Sequence, residues 1–245
     1  MRSGAYQVRV QDKVLEYQIV RSPRAKNVGV RIFPSEVRVV LPRGVPVRAA
    51  VDFMERVKGR VFRARERVLL QDERLKSLTD IAYVDGATFP VLGKPVTLHV
   101  IRERRTRARL TFEGRLVVRV DDSLSSSACE QQVRRKVEAW IKDLVYLEAQ
   151  RLAAALGNRL GIVPSGIRVK APRRQWGSCG SNRVINLNWR LGLFPRRVLW
   201  YVVVHEVAHL RYMNHSPAFW RLVKMLMPDF EVHREWLRFR GGGEG

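Results

Sequence analysis

Three histidines and a glutamate stand close together in VVVHEVAHLRYMNHSPAFW, residues 202–220. His205 and His209 are four residues apart, slightly more than one helical turn. On a helix their imidazoles leave one face and can share a tetrahedral zinc ion. Glu206 sits about 100° round the helix from His205, which suits a general base acting on a zinc-bound water better than a metal ligand. Zinc lowers the pKa of such a water toward about 7. A catalytic zinc needs a third protein ligand and an open position. His215, six residues past His209, is the favoured candidate; Glu231, His233 and Glu235 are the others. The spacing of HExxH, five residues and a histidine is that of metzincins, but Tyr212 replaces their glycine, so the chain must turn by another route. The pattern predicts one zinc per chain and hydrolysis.

The elements around these residues can be read from punctuation. The run WYVVV makes the helix ahead of His205 strongly apolar, so a histidine and a glutamate within it must be satisfied by something. Pro195 opens that helix, which is predicted over 196–213, with Asn214 as a left-handed stop. Ser216 and Pro217 form an N-cap and first-turn pair for the next helix. Pro228 ends it, and Asp229 is placed to cap a last helix, FEVHREWLRFR. Upstream, IRVKAPRRQWGSCGSNRVINLNWRLGLFP reads as a strand, a turn rich in Gly and Ser, and a second strand, VINLNW.

The first half reads as strands followed by a helix, twice. YQVRV, LEYQIV, VGVRIF and EVRVVLP precede the helical spacing of Val51, Met54, Val57 and Val61. ATFPVLG, VTLHVIR, ARLTFEG and RLVVRVDD precede a long amphipathic helix that the serines 125–127 can cap. Phe33 and Phe112, Val37 and Leu116, and Val39 and Val118 lie at matching points, which suggests a duplication with a period of about 80 residues. The expected fold class is α+β: a β-rich N-terminal region of duplicated strand-strand-helix units over 1–125, a catalytic region over 126–240, and a tail at 241–245.

The formal charge is +23 and the pI about 11.3, a balance that favours anionic partners. Five arginines lie in the stretch RERRTRARL, residues 102–110. On a strand Arg105, Arg107 and Arg109 would share one face and could bind an anion. RSPRAK occupies the equivalent place in the first unit. Of the 46 basic residues only nine are lysine, a skew that composition alone can also produce. Two alternatives to a peptide or protein substrate follow. One is a nucleoside triphosphate, hydrolysed at the same metal by a pyrophosphohydrolase. The other is nucleic acid held by the basic patches. Two cysteines 50 residues apart make no disulfide framework, and MRSGAYQVRV has no apolar signal region. The longest apolar run, VLWYVVV, is too short to span a bilayer. A cytoplasmic protein with no membrane partner is expected.

RRQWGSCGSNRVINLNWRL (173–191), YVVVHEVAHLRYMNHSPAFW (201–220) and, less specifically, YQIVRSPRAKNVGVRI (17–32) resemble the YgjP-like, WLM- and SprT-related family of zinc metallopeptidase-fold proteins. The resemblance implies a zincin-like α+β domain with zinc on His205, His209 and His215 and Glu206 as base. It implies that Trp176, Gly177, Ser178 and Cys179 form a turn beside the cleft. The strand around Asn186–Trp189, with Asn188, would be the edge that pairs with an extended peptide. His233 is a candidate to orient a ligand or stabilise an oxyanion. One departure is Phe62, where the family leads us to expect tryptophan.

Overall fold

A computed structural model of the chain describes residues 5–104, 106–112, 114–172 and 175–238. It is a mixed α+β structure that divides into two compact units, Met1–Lys76 and Ser77–Gly245.

In the first unit, β1 (Ala5–Val10), β2 (Lys13–Ser22), β3 (Gly29–Ile32) and β4 (Val37–Pro42) form a sheet of order β1-β2-β4-β3, followed by helix α1 (Val47–Thr79). β2 and β4 are parallel and the flanking pairs antiparallel. Leu15, Val39 and Leu41 of the sheet and Ala50 and Met54 of α1 lose all exposure, which makes one sheet-on-helix core.

The second unit repeats that strand order. β5 (Thr88–Val91), β6 (Lys94–Glu103), β7 (Arg109–Phe112) and β8 (Leu116–Asp121) pair as β5-β6-β8-β7. The central parallel pairs also agree in register: Ile19 faces Val39 and Val100 faces Val118.

Helix α2 (Ser126–Leu160) then starts at an N-cap, where the Ser125 hydroxyl accepts from the Ala128 N–H, and ends on left-handed Gly161. Val133, Val137, Ile141, Val145 and Ala149, four residues apart, make its buried stripe. A three-stranded sheet of order β10-β11-β9 follows, from β9 (Gly166–Lys170), β10 (Gly177–Cys179) and β11 (Val184–Asn188). A 3₁₀ turn (Trp189–Leu193) leads to α3 (Arg196–His209), α4 (Pro217–Leu226) and α5 (Phe230–Trp236). α3 is buried on nearly all sides. Its tie to α2 is polar at one point, where Glu148 accepts from the Trp200 indole N–H (3.2 Å) and pairs with Arg196 (3.5 Å).

Four local expectations change. Gly177–Cys179 is a strand rather than a turn. It takes the edge of its sheet, while β11 runs between β10 and β9. α3 stops at His209 rather than 213: Leu210 and Arg211 donate to the carbonyls of Val207 and Ala208, which tightens the last turn, and Asn214 is not left-handed. Asp229 stands at the N-cap of α5 but makes no capping bond with its side chain. Residues 106–108 connect β6 to β7, so Arg107 and Arg109 share no strand face; Arg105 lies outside the described residues. No described helix is long and apolar enough to cross a membrane.

The 3₁₀ turn reaches α2 through a missing side chain. A Cβ on Gly192 would stand 2.5 Å from Ile141 Cγ2 and 3.0 Å from Val145 Cγ2. Gly192→Ala should therefore destabilise the second unit by about 1–3 kcal/mol, read as a lower denaturant midpoint at unchanged slope.

Candidate metal centre

The end of α3 and the loop after it bring three ring nitrogens together. His205 Nε2 is 3.2 Å from His209 Nε2 and 3.0 Å from His215 Nε2, and the candidate ligand atoms all lie within 4.8 Å of one another. Nitrogens about 2.0–2.1 Å from one tetrahedral zinc are about 3.3–3.4 Å apart, so the two short edges lie slightly inside that spacing. The tautomers argue the same way. His209 Nδ1 is 3.0 Å from the Tyr212 carbonyl, which only accepts, so Nδ1 carries the proton and Nε2 points its lone pair inward. A single proton on His205 Nε2 can serve His209 or His215 but not both, and His205 Nδ1 is buried without a partner among the described residues. A cation at the meeting point satisfies all three nitrogens, so the donor set fits zinc. His205 is buried, His209 half-buried and His215 exposed, so one side stays open.

Phe219, fully buried, packs against all three imidazoles at 4.6–4.9 Å between ring centroids. Trp220 lies nearly parallel to the His215 ring at 5.5 Å. Both side chains come from the first turn of α4, and that turn is fixed where the Ser216 hydroxyl accepts from the Phe219 N–H. Neither aromatic carries a motif of its own in the sequence; the cap at Ser216 and Pro217, which sets the helix phase, is the one signal from which their position could be read.

Glu206 is 3% exposed, and its Oε2 has no hydrogen-bond partner among the described residues. Burial pushes its carboxyl up to about 8. Burial likewise pushes His205 down to about 3, helped by the charges of His209, His215 and Arg234, and lowers His209. Gly177 closes over the carboxylate: a Cβ there would be 2.4 Å from Glu206 Oε1 and 2.8 Å from Val202 Cγ1. A cavity of about 260 Å³ opens beside these groups, walled by Trp176, Gly177, Tyr201, Trp220, Arg234 and Leu237 among others.

The remaining sequence candidates divide. Trp176 and Gly177 face the cavity, while Ser178, Cys179, Asn188 and His233 are not among its lining residues. Ser178 Oγ accepts from Asn186 (3.4 Å). Burial, then the charge of Glu206, raises the Cys179 thiol. Asn188 donates to the carbonyls of Pro172 and Gln175 and accepts from the Arg190 N–H, which fixes the approach to β10. Arg109 pairs with Glu103 at 3.6 Å. Arg107 lines a separate shallow depression with Arg135 and Lys136 that shares no residue with the histidine cavity. Glu231 and Glu235 on α5 are not part of the three-histidine group.

His233 belongs to a clamp on α5. Asp229 Oδ2 accepts from Arg197 at 2.6 Å and lies 3.1 Å from His233 Nε2. Phe230 lies nearly parallel to Tyr201 of α3 and Trp220 of α4. The short helix is thus fixed to both elements that carry the site.

A YgjP-like metallopeptidase-domain family model matches residues 26–240. Among solved structures, the metallopeptidase zymogen of Pyrococcus abyssi abylysin is similar over 39% of this chain and 97% of that one, at 19% identity and a TM-score of 0.36. No curated protein matches the chain.

The clamp gives a prediction in acid. Hydrogen bonds from Arg197 and His233 hold the Asp229 carboxyl down at about 2. A depressed folded-state pKa gives stability that is full above the ordinary value of 3.8 and is lost as pH falls through about 2. Asp229→Asn should melt below the parent near neutral pH, and the gap should close between pH 4 and pH 2.

Proposed function

The chain belongs to the YgjP-like metallopeptidase-domain family, and on that premise we propose a zinc-dependent peptidase with a zincin-like catalytic region over 126–240. His205, His209 and His215 would hold one zinc per chain and Glu206 would be the general base. The observation that carries this reading is the convergence of three Nε2 atoms next to a buried carboxyl whose Oε2 has no partner among the described residues. Zinc held there would supply a Lewis acid for the scissile carbonyl and make a nearby water more acidic.

The chain's own residues account for the rest. Burial alone favours the protonated form of Glu206, whereas a cation at the imidazoles would favour the charged carboxylate that can take a proton. Water then adds its oxygen to the carbonyl carbon. Glu206 accepts the proton lost by the water and passes it to the amide nitrogen as the C–N bond breaks. The outer edge of β10 is unpaired among the described residues and carries Gly177 at the cavity, so an extended substrate can add to the sheet there. We also read the two four-stranded sheets, each followed by a long helix, as one repeated unit.

The parent should contain close to one equivalent of zinc and cleave a peptide. His205→Ala should lose both properties. Glu206→Gln should keep its zinc and lose roughly 10²–10⁴-fold in kcat; parent-like cleavage by zinc-loaded Glu206→Gln would remove the base assignment.

Gly177→Ala supplies an independent check on Glu206. The atoms nearest the new methyl group belong to Glu206 and Val202 and none to an imidazole, so the carboxylate must give way. Zinc content should be unchanged and kcat should fall by about 10²-fold, the order associated with a 1 Å misplacement.

A further inference from the structure

Arg234 is the one permanently cationic side chain among the described residues that line the metal-site cavity. Its guanidinium carbon lies 4.4 Å from the centroid of Trp220, and Trp220 is itself stacked on His215. The arginine is therefore linked to a candidate metal ligand through a single aromatic ring. Its charge also reaches His205. Its helix is held at Asp229 by Arg197 and by Phe230 between Tyr201 and Trp220, so the charge is presented from a clamped element.

The charge balance of the cavity indicates what that cation is for. Three imidazoles that bind as neutral ligands leave the full double charge of a zinc ion in place. Arg234 adds a third positive charge, and Glu206 is the one carboxylate among the described residues of the wall. Trp176, Tyr201 and Leu237 give the same cavity apolar surface, where a charge interaction is screened less than in water. A net positive, partly apolar cavity favours an anionic ligand group. A planar guanidinium with its fork of donors suits a carboxylate, which it can take with two parallel hydrogen bonds.

We infer that Arg234 binds a carboxylate of the substrate beside the scissile bond, so that the enzyme prefers peptides carrying a negative charge at that position. This rests on the peptidase reading. The carboxylate could come from a free peptide C-terminus or from an acidic side chain, which are the same chemistry at the site.

The test is calorimetric binding to zinc-loaded protein in the Glu206→Gln background, where cleavage does not interfere. Three probes are compared: acetyl-alanyl-alanine with a free carboxylate, its amide, and acetyl-aspartyl-alanine amide. At least one carboxylate probe should bind roughly 10- to 100-fold more tightly than the neutral amide, and whichever does identifies the source. Adding Arg234→Gln should erase the difference, and Arg234→Lys should restore part of it, with zinc content unchanged in both. Equal binding of all three probes would overturn the inference and leave the peptidase reading standing. A preference that survives Arg234→Gln would also overturn it, because the metal would then be holding the carboxylate. Should Arg234→Gln fail to fold, Arg234→Lys and the comparison of probes on the Glu206→Gln protein still decide. If no probe binds, the peptidase reading fails and the inference falls with it.

Discussion

Three imidazole nitrogens that converge on one point cannot all be satisfied by the protons the rings carry. That constraint organises the second unit. His209 is locked into one tautomer by the Tyr212 carbonyl, and His205 has no partner for its other nitrogen among the described residues. The Phe219 ring packs against all three imidazoles, which limits how far they can turn from their common point. Without a cation, burial works against a proton on His205 and against a charge on Glu206. A divalent ion held there would reverse the second penalty and make use of the first, since imidazoles bind a metal as neutral ligands.

The scaffold makes that arrangement stiff. α3 is apolar on almost every side and carries two of the three histidines at its last turn. The loop after it closes on 3₁₀-type hydrogen bonds and delivers His215, and Ser216 starts α4 at once. β10 brings Gly177 against Glu206, and α5 brings Arg234 onto Trp220. Four segments separated in sequence thus meet at one cavity, and at Gly177 the fit leaves no room for a methyl group.

Much of this was legible in the sequence because it depends on local spacing. The four-residue interval between His205 and His209, the Ser216-Pro217 helix start and the serine cap of α2 are short-range signals with direct physical causes. The strand status of Gly177–Cys179 was hidden, since Gly, Ser and Cys carry little intrinsic strand preference and only pairing with β11 makes them a strand. The end of α3 was placed too late because its last turn is set by backbone hydrogen bonds and a histidine side chain, with no glycine to mark it. Asp229 looked like a helix cap, but Arg197, 32 residues away, takes its carboxylate. Arg234 gave no signal either: in FEVHREWLRFR it is one charge among several, and only the packing of α5 on α3 and α4 puts it in the cavity wall.

X-ray absorption at the zinc edge of the loaded protein reads the ligand set directly. Three imidazole nitrogens and a light-atom neighbour at about 2.0–2.1 Å, with no sulfur, is the expected result. A sulfur scatterer at about 2.3 Å, which would have to come from a cysteine such as Cys179, or a shell that loses none of its imidazole signal in His215→Ala, would contradict the three-histidine centre.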